Sequence, residues 1–159
     1  MIVIKIILLL ILGAIFYQDY KERLVYWFLF PLLGLCAGFL FYNSTLPELF
    51  IASVALNLMF VSCLLLIVFI YSRILLKARL KDVFGLGDIL LFLSIIFTFS
   101  TVSFLVILVF ALFFSLVIHL LLKKRSKLKT VPLAGYLSLF FGLSYLTFWM
   151  GITESLYML

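Results

Sequence analysis

Charge is scarce in this sequence. Of 159 residues, 6 are Asp or Glu and 12 are Lys or Arg, so charged side chains make up only 11% of the chain. So few charges cannot clothe a soluble domain of this size. There is one His, and the two cysteines, Cys36 and Cys63, lie inside apolar runs with no CxxC pair and no His at ligand spacing. That pattern argues against a zinc site or a disulfide framework. Both cysteines read as buried small hydrophobes, and no metal or cofactor is expected. No surface both aromatic and basic remains for a nucleic-acid strand, so the net charge of +6 needs another explanation.

Apolar residues are what the chain has in excess, at 68% with a mean hydropathy of +1.43. Globular proteins carry roughly half. A lipid bilayer is the solvent that accommodates this excess, and about 20 apolar residues make one membrane-spanning helix. The runs fall at about 2–18, 25–42, 50–72, 87–99, 103–122 and 131–150. They are continuous rather than alternating, and lipid tolerates only helices or closed barrels. The expected fold is therefore all-α, a single membrane-embedded domain over residues 1–159 with about six transmembrane helices. The fourth run is short, and Ser100 and Thr101 are a weak break, so runs four and five also read as one long hairpin. The first run reads as a membrane span rather than a cleaved signal peptide, because no small-x-small pattern precedes Asp19.

The basic residues account for the net charge. Lys21 and Arg23 lie in the first connection, Arg73, Lys77, Arg79 and Lys81 in the third, and Lys123, Lys124, Arg125, Lys127 and Lys129 in the fifth. Eleven of the twelve thus fall in odd-numbered connections. Basic connections face the cytoplasm, which places both termini on the other side.

Four polar residues intrude on the runs. Asn57 and His119 are single, and hydrogen bonding between helices explains them. Asp19 and Asp88 are a different matter. Asp19 closes the first run and Asp88 opens the fourth, after Gly85-Leu86-Gly87. Counting crossings brings both to the cytoplasmic side at similar depth, although 69 positions separate them. A carboxylate in a span costs about 2.5–3.5 kcal/mol at the centre and less near the interface. An interfacial cap explains each Asp singly, and Lys21 or Arg23 are candidate partners for Asp19. Together, two convergent carboxyls are the machinery of an aspartic protease, one taking a proton from water while the other polarises the scissile carbonyl. Gly85 and Gly87 would let a substrate backbone approach Asp88. Helix-end fields then suggest different roles, with Asp88 at a helix N-terminus as the base and Asp19 at a helix C-terminus as the acid.

With Gly85-Leu86-Gly87-Asp88 as a GxGD motif, the chain resembles the type IV prepilin peptidase family of membrane aspartic proteases. Asp19 followed by Lys21-Glu22-Arg23 resembles the family's first acid and basic loop. Thr130-Val131-Pro132-Leu133-Ala134-Gly135-Tyr136 is similar to the proline-containing start of its last span. The resemblance runs along nearly the whole chain, in order. It departs where Val25-Tyr26 replaces a hydrophobic-Pro pair, where Leu90 replaces a Lys, and where a second Pro near Pro132 is missing. It implies catalysis by Asp19 and Asp88, with Gly85, Gly87, Lys21, Arg23 and Pro132 around them and no metal. The implied substrate is a prepilin-like protein, cleaved between its basic leader and its apolar helix at the bacterial cytoplasmic membrane. Full-length members add a region with paired cysteines and methyltransferase activity. No such region is seen here, so cleavage without N-methylation is implied.

Two other functions fit parts of the pattern. Presenilin and signal-peptide-peptidase-like intramembrane proteases also use GxGD, but they carry a Tyr-Asp pair and a Pro-Ala-Leu element. Here Gln18 separates Tyr17 from Asp19, and the order is Pro132-Leu133-Ala134. A small non-enzymatic membrane transporter or scaffold would use the two acids as ion sites.

Overall fold

The computed structural model describes residues 1–74, 85–122, 132–152 and 156–157. The described residues form six α-helices and no strand: α1 (Ile2–Glu22), α2 (Leu29–Tyr42), α3 (Pro47–Ile74), α4 (Leu86–Ile95), α5 (Thr101–Leu122) and α6 (Leu133–Trp149). The protein is an all-α polytopic membrane protein. α1, α3 and α5 are long and apolar enough to cross a bilayer. At 21, 28 and 22 residues they run about 31, 42 and 33 Å, against about 30 Å of hydrocarbon. α2, α4 and α6 are shorter, at 14, 10 and 17 residues. Of the expected basic loops, Lys77, Arg79 and Lys81 and the cluster 123–129 lie outside the described residues, as does Val131.

The helix ends correct the sequence reading in several places. α2 begins at Leu29 rather than at residue 25, because the chain from Arg23 to Phe28 is extended and turned. The Tyr26 N–H donates to Gln18 Oε1 at 3.1 Å, which ties this connection back to α1. α3 is longer than its apolar run, starting at Pro47, where a proline's missing N–H costs nothing. The fourth and fifth runs are separate helices joined by a turn. α4 ends at Ile95, and a turn over 96–100 precedes α5.

That turn is buried, and irregular backbone at membrane depth must find partners inside the protein. Asn57 on α3 supplies them, its fully buried Nδ2 donating to the carbonyls of Ile96 and Phe99, each at 3.0 Å. Thr98 Oγ1 donates to Ile95 O, and Tyr145 Oη to Thr98 O. Asn57→Leu strips two carbonyls of their donor. It should cost about 1–3 kcal/mol for each group left unsatisfied, seen as a lower midpoint of thermal unfolding in detergent. An unchanged midpoint would remove Asn57 from this role.

α1 and α6 pack antiparallel along their lengths. Gly135 faces Asp19, Gly142 faces Leu12, and Lys5 Nζ lies 5.1 Å from the centroid of the Trp149 ring. The start of the chain and Trp149 thus share one end of the bundle, opposite the end that holds Asp19. At the Trp149 end Phe99 packs on Tyr145 with ring centroids 4.7 Å apart, and Tyr157 packs on Phe41 and Phe148. Phe99, Tyr145, Phe41 and Tyr157 are buried, so this cluster is part of the core rather than a lipid-facing belt. Cys36 is half-buried and Cys63 exposed, so only Cys36 comes near the buried role expected of both; each is a free thiol. His119 sits in the last turn of α5.

Candidate functional site

α1 and α4 each deliver one carboxylate to the N-terminal end of α6. Asp19 lies in the last turn of α1 and is buried. Its Oδ2 accepts the Gly135 N–H at 2.6 Å. Asp88 lies in the first turn of α4, and its Oδ1 accepts the Ala134 N–H at 2.8 Å. Two acids far apart in sequence are thus held by successive amides of one helix.

The physical reason is the helix terminus. The first four N–H groups of a helix have no partner within it and carry its positive end. α6 has no side-chain cap of its own, since Pro132 occupies the N-cap position. Carboxylates from two other helices fill that place. Pro132 is buried, and its carbonyl accepts the Tyr136 N–H at 3.1 Å, so it starts α6 while donating nothing itself.

Asp88 makes a second bond, its Oδ2 accepting the Gly85 N–H at 3.2 Å, which caps α4 from within. Gly85 has φ −65° and ψ 146°, an extended backbone open to any residue, so its conformation does not call for glycine. Its missing side chain matters through space, because a Cβ would meet Asp88 Oδ2 at 3.1 Å. Gly87 is helical, and its Cβ would meet only the Phe30 ring at an ordinary 3.6 Å. Gly135 is the tightest point. A Cβ there would meet Asp19 Oδ2 at 3.1 Å, Asp19 Cβ at 3.2 Å and the Phe16 carbonyl at 3.4 Å.

The two basic residues after Asp19 part company. Lys21, expected as a partner for Asp19, instead donates to Tyr17 Oη at 3.1 Å on the exposed side of α1. Residues i and i+4 share a helix face, whereas i and i+2 do not. Arg23 ends α1 in the left-handed conformation, φ 57°. A non-glycine residue there bears backbone strain, and the turn brings its guanidinium within electrostatic reach of both carboxylates. Its Nε and Nη1 are buried and have no hydrogen-bond partner among the described residues.

The field argument for separate roles also changes. Asp19 does sit at the C-terminal end of α1, but its carboxylate is turned onto the N-terminus of α6 and shares that field with Asp88. Helix ends alone therefore do not divide the roles of base and acid. Sequence reasoning missed the Ala134 and Gly135 amides as the holders of the pair. Their signal was the run Pro132-Leu133-Ala134-Gly135, with a proline where a helix starts and a glycine where another group approaches.

Two carboxylates, a guanidinium within electrostatic reach and a helix N-terminus can hold and move a proton beside a polar substrate group. Among the described residues, no group of three or more His, Cys, Asp or Glu side chains is placed to hold a metal ion. Compared with protein-family models, curated proteins and solved structures, the chain matches none.

Proposed function

We propose that this protein is a membrane aspartic endopeptidase of the type IV prepilin peptidase kind, acting in the bacterial cytoplasmic membrane. The observation that carries the reading is the convergence of Asp19 and Asp88 on the Gly135 and Ala134 amides. The resemblance around Gly85-Leu86-Gly87-Asp88 adds the substrate, a prepilin-like protein with a short basic leader joined to an apolar helix. The reaction is peptide-bond hydrolysis.

One carboxylate takes a proton from water as the water oxygen attacks the scissile carbonyl carbon. The other, protonated, donates to the carbonyl oxygen. The tetrahedral intermediate then collapses: the C–N bond breaks, the leaving amine takes up the proton held by the first carboxylate, and the re-forming carbonyl returns its proton to the second. Each acid has a backbone donor that fixes its orientation, and fixed orientation is what keeps such groups in attack geometry.

The decisive experiment is cleavage of a leader-plus-helix peptide by the purified chain in lipid. Loss of cleavage in Asp19→Asn and Asp88→Asn supports the reading, and full activity in either removes that Asp from the chemistry. Sidedness is tested separately. Because basic connections face the cytoplasm, a reporter inserted within 123–129 should be cytoplasmic, and one fused after Leu159 should not. A cytoplasmic reporter after Leu159 would place the carboxylates on the wrong face for a cytoplasmic leader.

A further inference from the structure

Arg23 is an uncommon residue for the place it holds. It ends α1 with φ 57° and ψ 16°, in the left-handed conformation. Helices that end this way ordinarily put Gly or Asn there, because a Cβ is strained in that region. Among the described residues Arg23 is the one non-glycine with a positive φ. The turn itself asks for no arginine, so what the arginine adds is its side chain.

That side chain is placed at a further cost. The residue is half-buried, and its Nε and Nη1 are buried with no hydrogen-bond partner among the described residues. A buried cation is unfavourable unless charge of the other sign stands near it. Asp19, four positions earlier and so on the same face of α1, is within its electrostatic reach, as is Asp88 on α4. So is Tyr136 on α6, next to the Gly135 amide that holds Asp19. Of the other titratable groups on the elements packed here, Tyr17, Tyr20, Lys21 and Glu22 are exposed on α1, and Tyr20 reaches Tyr136. Arg73 on α3 is exposed over the Phe69 ring, and His119 lies in the last turn of α5. α2 carries no charged side chain. Backbone strain and a buried charge thus meet in one residue beside the acid pair, and strain kept in this way points to function.

The charges balance in a simple way. Two carboxyls that share one proton carry one negative charge, and one guanidinium cancels it. Without that cation the cluster is neutral only when both carboxyls are protonated, a state that contains no base. We infer that Arg23 is a positioning residue of the acid pair: its guanidinium balances the single negative charge of Asp19 and Asp88 while they share one proton, and so keeps one of them ready to act as base. The catalytic consequence rests on the peptidase reading above.

The test uses the full chain in lipid vesicles with three substitutions. Arg23→Asn and Arg23→Gly remove the charge and suit the left-handed turn, so neither disturbs the backbone. Arg23→Lys keeps the charge and the strain. Cleavage of the leader-plus-helix peptide is followed against pH. An opposite charge nearby favours the ionised form of a carboxyl, so removing it should move both limbs of a bell-shaped profile up by about one unit. At a fixed pH on the acid limb, that is about a tenfold loss of kcat. Arg23→Lys should return the limbs close to their original places. Unmoved limbs in the Asn and Gly variants, or moved limbs that Lys fails to return, would overturn the inference.

A second measurement needs no cleavage. Infrared difference spectra across pH follow the protonated-carboxyl band, assigned with Asp19→Asn and Asp88→Asn. In Arg23→Asn that band should persist to a pH about one unit higher than in the unsubstituted chain. The two readings fail separately. A moved band in a chain that cleaves nothing defeats the peptidase and keeps Arg23 as the counter-charge of the pair. Cleavage with unmoved limbs and an unmoved band defeats the role of Arg23 alone.

Discussion

Asp19→Asn and Asp88→Asn are each expected to lower kcat about 10²–10⁴-fold, and the double variant to fall little further. Two carboxyls that pass one proton act as a unit, so removing either member disables the pair and removing both adds little. The substitutions differ in their structural cost, which separates chemistry from folding. Asp19 uses one oxygen, accepting from Gly135, and the amide oxygen of Asn can keep that bond. Asp88 uses both, accepting from Ala134 and Gly85. An Asn there keeps one bond and loses the other, at about 1 kcal/mol. Asp88→Asn should therefore melt earlier than Asp19→Asn while both are equally inactive. Steady-state kinetics beside thermal unfolding in detergent reads both properties. Losses that multiply in the double variant would mean that the two acids act independently.

Gly135→Val is the second large effect. Already a single Cβ would stand 3.1–3.4 Å from Asp19 Oδ2, Asp19 Cβ and the Phe16 carbonyl. One of those contacts is backbone in the middle of α1's packing, so it cannot move alone. Overpacking of this kind costs about 1–3 kcal/mol. Relief requires α1 and α6 to separate, which lengthens the bond from the Gly135 N–H to Asp19 and releases one of the two acids. Activity should fall more steeply than stability does, because about 1 Å of displacement at a reacting group can cost about 100-fold. Gly142→Ala is the comparison: it lies on the same interface, and its Cβ would meet Leu12 at an ordinary 3.9 Å. It should be nearly silent in both assays. Equal losses at the two positions would show a general packing effect with no special role for Gly135.

The carboxylates and the residues around them were unequally legible in the sequence. Asp19 and Asp88 stand out because acids are so few and because counting crossings brings both to one side. Lys21 and Arg23, two positions apart, looked alike. The 3.6-residue turn sends Lys21 to Tyr17, and the left-handed end of α1 turns Arg23 toward the carboxylates. Asn57, expected to bond from helix to helix, bonds instead from α3 to the turn that follows α4. Its partners, the carbonyls of a buried turn, could not be named while runs four and five were open to being one element.

What the sequence by itself determined was the solvent and the class of fold. Continuous apolar runs with almost no charge require lipid, and lipid requires every backbone group to be satisfied within a helix. That argument is local, so it can be read residue by residue. What the tertiary structure decided was how the acids are held. Gly135 and Asp19 are 116 positions apart, and Ala134 and Asp88 are 46 apart. Their meeting depends on the rotation and register with which α1, α4 and α6 pack. Helix periodicity says which residues share a face, but not which amide on a neighbouring helix that face will meet. Only the closeness that Gly135 allows, and the empty N-terminus that Pro132 opens, put the two carboxylates on successive amides, Asp19 on Gly135 and Asp88 on Ala134.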